Sequence, residues 1–509
     1  MNMKILLSTI KTEIPETDLA LKYLYSIVAD APIETQVHTF DTIDLDNDIY
    51  EYIIRGQYTL VYMHCDEMNE YRISRISEMV KKVMPSTVIV VGGMHVSFDT
   101  KNFMAKNPAV DYVIRGEGET VLFNLIKTML TYEYDFEGIA GLAYRLNDEI
   151  KVNVYDAAIS IEDLPFPYEK SELNDTDVVY YETIRGTSDR AIYRQYLPDA
   201  RVRALPLGRV CTELRYFFVK GVSRVVFLDR WFNYNTERAY RIIEYIINND
   251  NGQTTFEIDI DGDNLDEETI RLLSEARPGL FVFNIDVAST NAETLAAIGR
   301  RENVYQLMYN VTKLLQIGTV ETHLSVSAGL PYETEQLFAR SFNKVYGLGD
   351  GTSLTVNPVT VPRGCMLREE SGKYGYLYSD NAPYDVLATA FMTATDIIRI
   401  RAMAKIAPKF IGKLFSQSMP RILNDTGLKP YDLFMGLTDF INKQKLNGKM
   451  NKTENLYRIM YSYAITLYDD LNDTLKLQIL TEILHEDLEN NLSEDAVKKF
   501  ERKGWEIEA

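Results

Sequence analysis

Over the first 130 residues, short β-branched runs alternate with amphipathic stretches. KILLSTI, TLVYMH, TVIVVGG and YVIRG are almost continuously apolar, whereas 17–29 and 70–83 carry apolar residues at three- and four-residue spacing. Strands that are apolar throughout need cover on both faces. The pattern therefore predicts a parallel sheet with helices on each side, a doubly wound, Rossmann-like domain over 1–135, followed by a linker over 136–177. A second βα series starts at 178, where VVFLDRWFNYN, TTFEIDIDGD, LFVFNIDVAST, THLSVSAGLPYE and SLTVNPVTV alternate with helical stretches at 207–221, 236–248, 267–275 and 333–346. With the strand at Tyr180 as the first, this gives a partial (βα)6 TIM-like barrel over 178–383, with its binding face at the carboxyl ends of the strands. From 384 to 509 the spacing is helical, at 386–407, 431–443, 454–471 and 475–488, and the stripe Tyr457, Tyr461, Tyr463 suits core packing. The fold class is α/β with a helical carboxyl-terminal domain.

Composition narrows the partners. The 509 residues are 46% hydrophobic and 11% aromatic, enough for two or three cores. A net charge of −20 makes nucleic acid and anionic membranes unfavourable partners. No stretch approaches the ~20 apolar residues of a membrane span, and MNMKILLSTI lacks a long apolar signal region, so the expected location is the cytoplasm. Cys65, Cys211 and Cys365 are scattered and form neither a disulfide framework nor a metal knuckle.

Candidate chemistry gathers at strand ends. Gly92-Gly93 and the run Arg115-Gly116-Glu117-Gly118-Glu119 follow strands of the first domain; glycine there either admits a ligand or serves a tight exit from a buried strand. His64 and His95 also follow sheet strands and face one cleft if both turn inward. Between 185 and 209 the arginines Arg185, Arg190, Arg194, Arg201, Arg203 and Arg209 outnumber Asp189 and Asp199, a local cationic patch suited to a carboxylate or phosphate. From the third barrel strand, Glu257 and Asp259 point toward the mouth or its supporting shell.

Several stretches, in order, resemble the cobalamin-binding-domain radical S-adenosylmethionine (SAM) superfamily, in a clostridial-type branch with a helical carboxyl-terminal extension. They are VVGGMHVSF, NPAVDYVIRGEGE and LPFPY in the first third, then FLDRWFN, FEI, VAST, AGLPYE, SFNKVYGL and LREE with Tyr374-Gly375. The resemblance implies cobalamin at His64, Gly92, Gly93, His95, Gly116, Glu117 and Gly118, with one of the histidines as a candidate cobalt ligand. It implies SAM at Asp229, Arg230, Glu257, Ser289, Thr290, Ala328, Gly329 and Leu330.

The chain departs from the family where it matters most. After Arg185-Gly186, the family's CxxxCxxC thiolates, which hold a [4Fe-4S] cluster, are replaced by Thr187, Ala191 and Arg194. The first strand-to-helix loop lacks the DxHxxG motif, Met94-His95 replaces Pro-Glu, and Ala288 and Asn284 replace a Gln and an acidic residue. A hydroxyl, a methyl and a guanidinium do not anchor iron, so no cluster is expected. In its place, Arg185, Arg190 and Arg194 are candidates to grip an anion.

The expected function is that of a cluster-less relative that binds cobalamin, SAM or both and acts by non-radical chemistry, such as methyl transfer to a small molecule or peptide. The alternatives are a non-catalytic pseudoenzyme partnering an active paralogue or itself, and a radical enzyme with an unusual cluster site.

Overall fold

The computed structural model describes residues 3–12, 16–131, 135–147, 149–155, 159–170, 173–186, 191–196, 201–349, 353–471 and 473–507. Its first sheet comprises β1 (Lys4–Ile10), β2 (Glu34–Phe40), β3 (Leu60–His64), β4 (Val88–Gly92), β5 (Tyr112–Ile114), β6 (Leu142–Leu146) and β7 (Glu149–Val152), in the order β2-β1-β3-β4-β5-β6-β7. The four apolar runs form β1, β3, β4 and β5, which are parallel and bury side chains into separate cores on the two faces. Strand β2 gives little hydrophobic signal because ETQVHTF lies at an edge and exposes half its length. β6 and β7, within the expected linker, add an antiparallel hairpin onto β5, so the sheet continues to Val152. The hairpin turns at Asn147, whose φ of 49° is a left-handed conformation that asparagine tolerates.

The second sheet has six parallel strands in sequence order: β8 (Val178–Tyr181), β9 (Arg224–Phe227), β10 (Thr255–Asp259), β11 (Phe281–Ala288), β12 (Glu321–Ala328) and β13 (Ser353–Pro358). Helix Thr236–Asn248 shows how sequence spacing becomes packing: Ala239, Ile242, Ile243 and Ile246 lie buried along one face, and the Asn235 side chain caps the helix by accepting from Arg238 N. The stretch expected to be helical from 333 begins instead at Glu335, because Thr334 is the cap and Glu333 is drawn into the interior.

Val386–Ala388, read as helical in sequence, pairs antiparallel with Leu377–Tyr378; the helix starts at Ala394, where Thr393 and Asp396 form a capping box. The helices that follow share one continuous core with the barrel. Tyr431 anchors them, donating to Glu335 at 2.9 Å while its N–H bonds Asn343 Oδ1 at 2.7 Å. Tyr457 and Tyr463 are buried in this core. Among the described residues no helix is long and apolar enough to cross a membrane.

Candidate functional site at the meeting of two sheets

The carboxyl ends of both sheets open onto one cavity of about 1000 Å³, at the upper end for a small-molecule site. From the first domain come the loops after β3 (His64 to Glu67), β4 (Gly93 to His95) and β5 (Gly116 to Glu119). From the barrel come the segments around Arg185 and Arg194, with inward residues of β10 to β13. Alternation along a strand sets which barrel residues face in: 257 and 259, 284 and 286, 323 and 325, 355 and 357 all line the cavity.

Ion clusters join the domains on two sides of the cleft. Arg185 lies 2.9 Å from Glu119, 2.9 Å from Glu182 and 3.7 Å from Glu117, above the Tyr23 ring. Burial works against its charge, but the three carboxylates outweigh that and push its pKa well up. Arg203 meets Glu117 at 2.6 Å. Elsewhere, Glu70 receives Arg363 at 3.2 Å and His95 Nε2 at 2.5 Å.

An ion network surrounds Arg194. Arg194 Nη2 meets Asp286 Oδ2 at 3.1 Å, and Arg300 Nη1 meets the same oxygen at 2.7 Å and also contacts Glu302. Ser325 donates to Asp286 Oδ1 at 3.0 Å. Burial disfavours the Asp286 charge, yet Arg300 and Arg194 together hold its carboxyl below the ordinary value. A ligand carboxylate approaching Arg194 therefore competes with Asp286. Thr187 and Arg190 lie outside the described residues.

The remaining candidates divide. His64, Gly93, His95, Gly116, Glu117, Gly118, Arg230 and Glu257 line the cleft. Gly92 lies behind it, against Tyr62. Asp229 is fully buried and accepts from Thr183 N at 2.6 Å, Ile184 N at 2.9 Å and the Thr183 hydroxyl, so it fixes the turn that leads to Arg185 and Gly186. Burial raises its pKa to about 7 against those three donors. Ser289 is also fully buried and donates to Glu333 at 2.8 Å, while Thr290 N–H donates to Ser341 Oγ at 2.9 Å. Ala328 and Leu330 are buried, and the Gly329 carbonyl takes the Tyr376 hydroxyl at 2.6 Å. These groups support the strand ends rather than line the cavity. The glycines likewise serve the chain itself: a Cβ on Gly93, at φ 126°, would collide with the Cys65 carbonyl, and one on Gly116, at φ 70°, with the Tyr155 ring.

Asp286, Arg300 and Glu333 escaped the sequence reading. Two-residue alternation from Asn284 would have flagged Asp286, whereas the pairing of Arg300 with it depends on the loop path.

The cleft suits a large polar cofactor, since it is roomy, reached by both sheets and ringed by hydrogen-bonding groups. At the described positions where the family carries thiolates, Ala191 presents a buried methyl and Arg194 is paired with Asp286. Cys365 is buried, its backbone is bridged to Gln195, and burial pushes its thiol up to about 11.

Comparison with known proteins agrees with this architecture. Residues 3–126 match the B12 binding domain, 194–345 the Radical SAM superfamily, and 372–507 a family described as protein of unknown function (DUF4080). The barrel match starts at Arg194, beyond the other two substituted positions. An uncharacterized methyltransferase of Pyrococcus horikoshii, PH0819, is 28% identical over 47% of this chain and 56% of its own length. The cobalamin-dependent radical SAM methyltransferase TokK of Streptomyces tokunonensis is 31% identical over 21% of this chain and 16% of its own length. The chain thus spans about half, or less, of these curated relatives.

Among solved structures, the cobalamin-dependent SAM radical enzyme OxsB superposes with a TM-score of 0.63 at 14% identity, covering 100% of this chain and 85% of that one. The radical SAM methyltransferase TsrM of Kitasatospora setae gives 0.59 at 17% identity, covering 75% and 78%. Along this chain, then, a B12-binding domain precedes a radical SAM domain, and the whole shares the fold of the cobalamin-dependent radical SAM enzymes on which it superposes.

Proposed function

We propose that the cleft binds cobalamin against the loops after β3, β4 and β5 and SAM against the barrel mouth, and that the protein carries out non-radical methyl transfer to a small molecule. The observation that carries this reading is the single cavity of about 1000 Å³ shared by both sets of strand ends. When bound, the two cofactors supply a one-carbon carrier and a sulfonium methyl donor. The chain's own part is positional. His64, Gly93 and His95 form one wall, the clusters at Arg185 and Glu70 hold the domains across the gap, and Asp229 with Glu333 braces the strand ends from behind. The Arg194–Asp286–Arg300 network stands where iron chemistry would be organised, which favours polar over radical reaction.

A second reading, a cofactor-binding protein without turnover, is favoured by the same network, because Asp286 already meets the Arg194 charge that would otherwise grip a ligand. Purified protein incubated with hydroxocobalamin and passed through gel filtration should carry a corrin absorbance band at near one per chain. Elution without the band contradicts the proposal. Binding without methyl transfer from SAM across small amine and heterocycle acceptors favours the second reading.

A further inference from the structure

Strands β10 and β11 bring three carboxylates to the cavity, Glu257, Asp259 and Asp286, and two of them are paired with cations. Glu257 lies 3.2 Å from Arg224, and Asp286 has Arg194 and Arg300. Asp259, at the end of β10, differs. Among the described residues it forms no ion pair, and its one hydrogen bond comes from Asn284 Nδ2 at 3.1 Å. It is exposed, but onto the cavity rather than the outer surface. Asn284 also donates to Glu257 at 3.2 Å, so its amide is fixed between two strands and orients the Asp259 carboxylate. Around it the lumen is lined by polar groups from neighbouring strands, His323, Ser325, Thr355 and Asn357, with Arg194, itself paired with Asp286, also on the wall. Desolvation raises the Asp259 pKa, opposed by the Asn284 hydrogen bond and by the Arg194 charge.

A cavity-facing carboxylate with no ion pair and a single hydrogen-bond donor keeps acceptor capacity that a ligand cation or proton donor can fill. We infer that Asp259, oriented by Asn284, is the recognition carboxylate for the ammonium group of an amine-bearing small molecule that enters the lumen charged end first. As a substrate class this rests on the reading of the cleft as a cofactor site; as a binding site it does not.

Benzylamine, benzyl alcohol and benzoate are of similar size and differ in charge. In calorimetric titration and saturation-transfer NMR, the full-length protein should bind benzylamine at least ten-fold more tightly than either of the others. Asp259→Asn should remove that preference, and Glu257→Gln should keep it. Equal binding of benzylamine and benzyl alcohol by the wild-type protein overturns the inference, as does an undiminished preference in Asp259→Asn. The wild-type comparison needs no variant, so it decides the matter even if the substitution impairs folding. Because no cofactor is added, a protein that fails to retain cobalamin but selects benzylamine refutes the proposed function and leaves this site standing.

Discussion

Glu333 has no exposed surface, one oxygen receives Ser289, and the other has no hydrogen-bond partner. Burial pushes its pKa up to about 8, so near neutrality it is a neutral acid. A carboxyl whose folded value exceeds its unfolded one contributes stability that is complete below the unfolded value, near 4.5, and is lost as pH rises through about 8. The full span is on the order of 5 kcal/mol. Melting temperature should therefore fall across that window, and Glu333→Gln should remove about half of the fall. A comparable share should remain from Asp229, whose pKa, raised from 3.8 to about 7, acts with the same sign. An unchanged profile in Glu333→Gln would show that the carboxyl is ionised in place. Neither role was legible beforehand. Asp229, Ser289 and Thr290 sit in motifs that announce a strand end, but sequence does not say whether a polar group there faces the ligand or the neighbouring loop. That choice is made by partners from distant segments, Thr183, Ser341 and Glu333.

At the scale of elements, the segment around Arg194 is tied to β11 by an ion network. Removing the central anion leaves Arg194 and Arg300 beside one another with their shared partner gone, whereas removing Arg194 leaves Asp286 satisfied by Arg300. Asp286→Asn should accordingly lower unfolding free energy by about 2 kcal/mol, since the site faces a cavity rather than dry core. Arg194→Ala should cost clearly less. Chemical denaturation of the two variants checks the order, and a larger loss in Arg194→Ala would contradict it. Apolar periodicity made the βα order and the six-strand count legible here. It missed β2 and β7, which are exposed or half-buried over nearly all their length, and β6, whose buried run of Leu142, Ala143 and Tyr144 is short, and it read Val386–Ala388 as helix because the Thr393–Asp396 cap lies several residues further on.

For the whole molecule, two domains present their strand ends to one cavity and are held together by Arg185 and Glu70, while the carboxyl-terminal helices extend the barrel core. The architecture was legible because sheet patterning and motif order survive substitution. The inter-domain clusters were not, since the partners of Arg185 come from β5's loop and from Glu182. Retention of this cleft alongside a rebuilt cluster loop is the central claim, and iron and acid-labile sulfide content after anaerobic reconstitution tests it most directly. The account predicts that desalted protein carries neither above background; a stoichiometric [4Fe-4S] cluster with its characteristic absorbance and paramagnetic signal on reduction would contradict it.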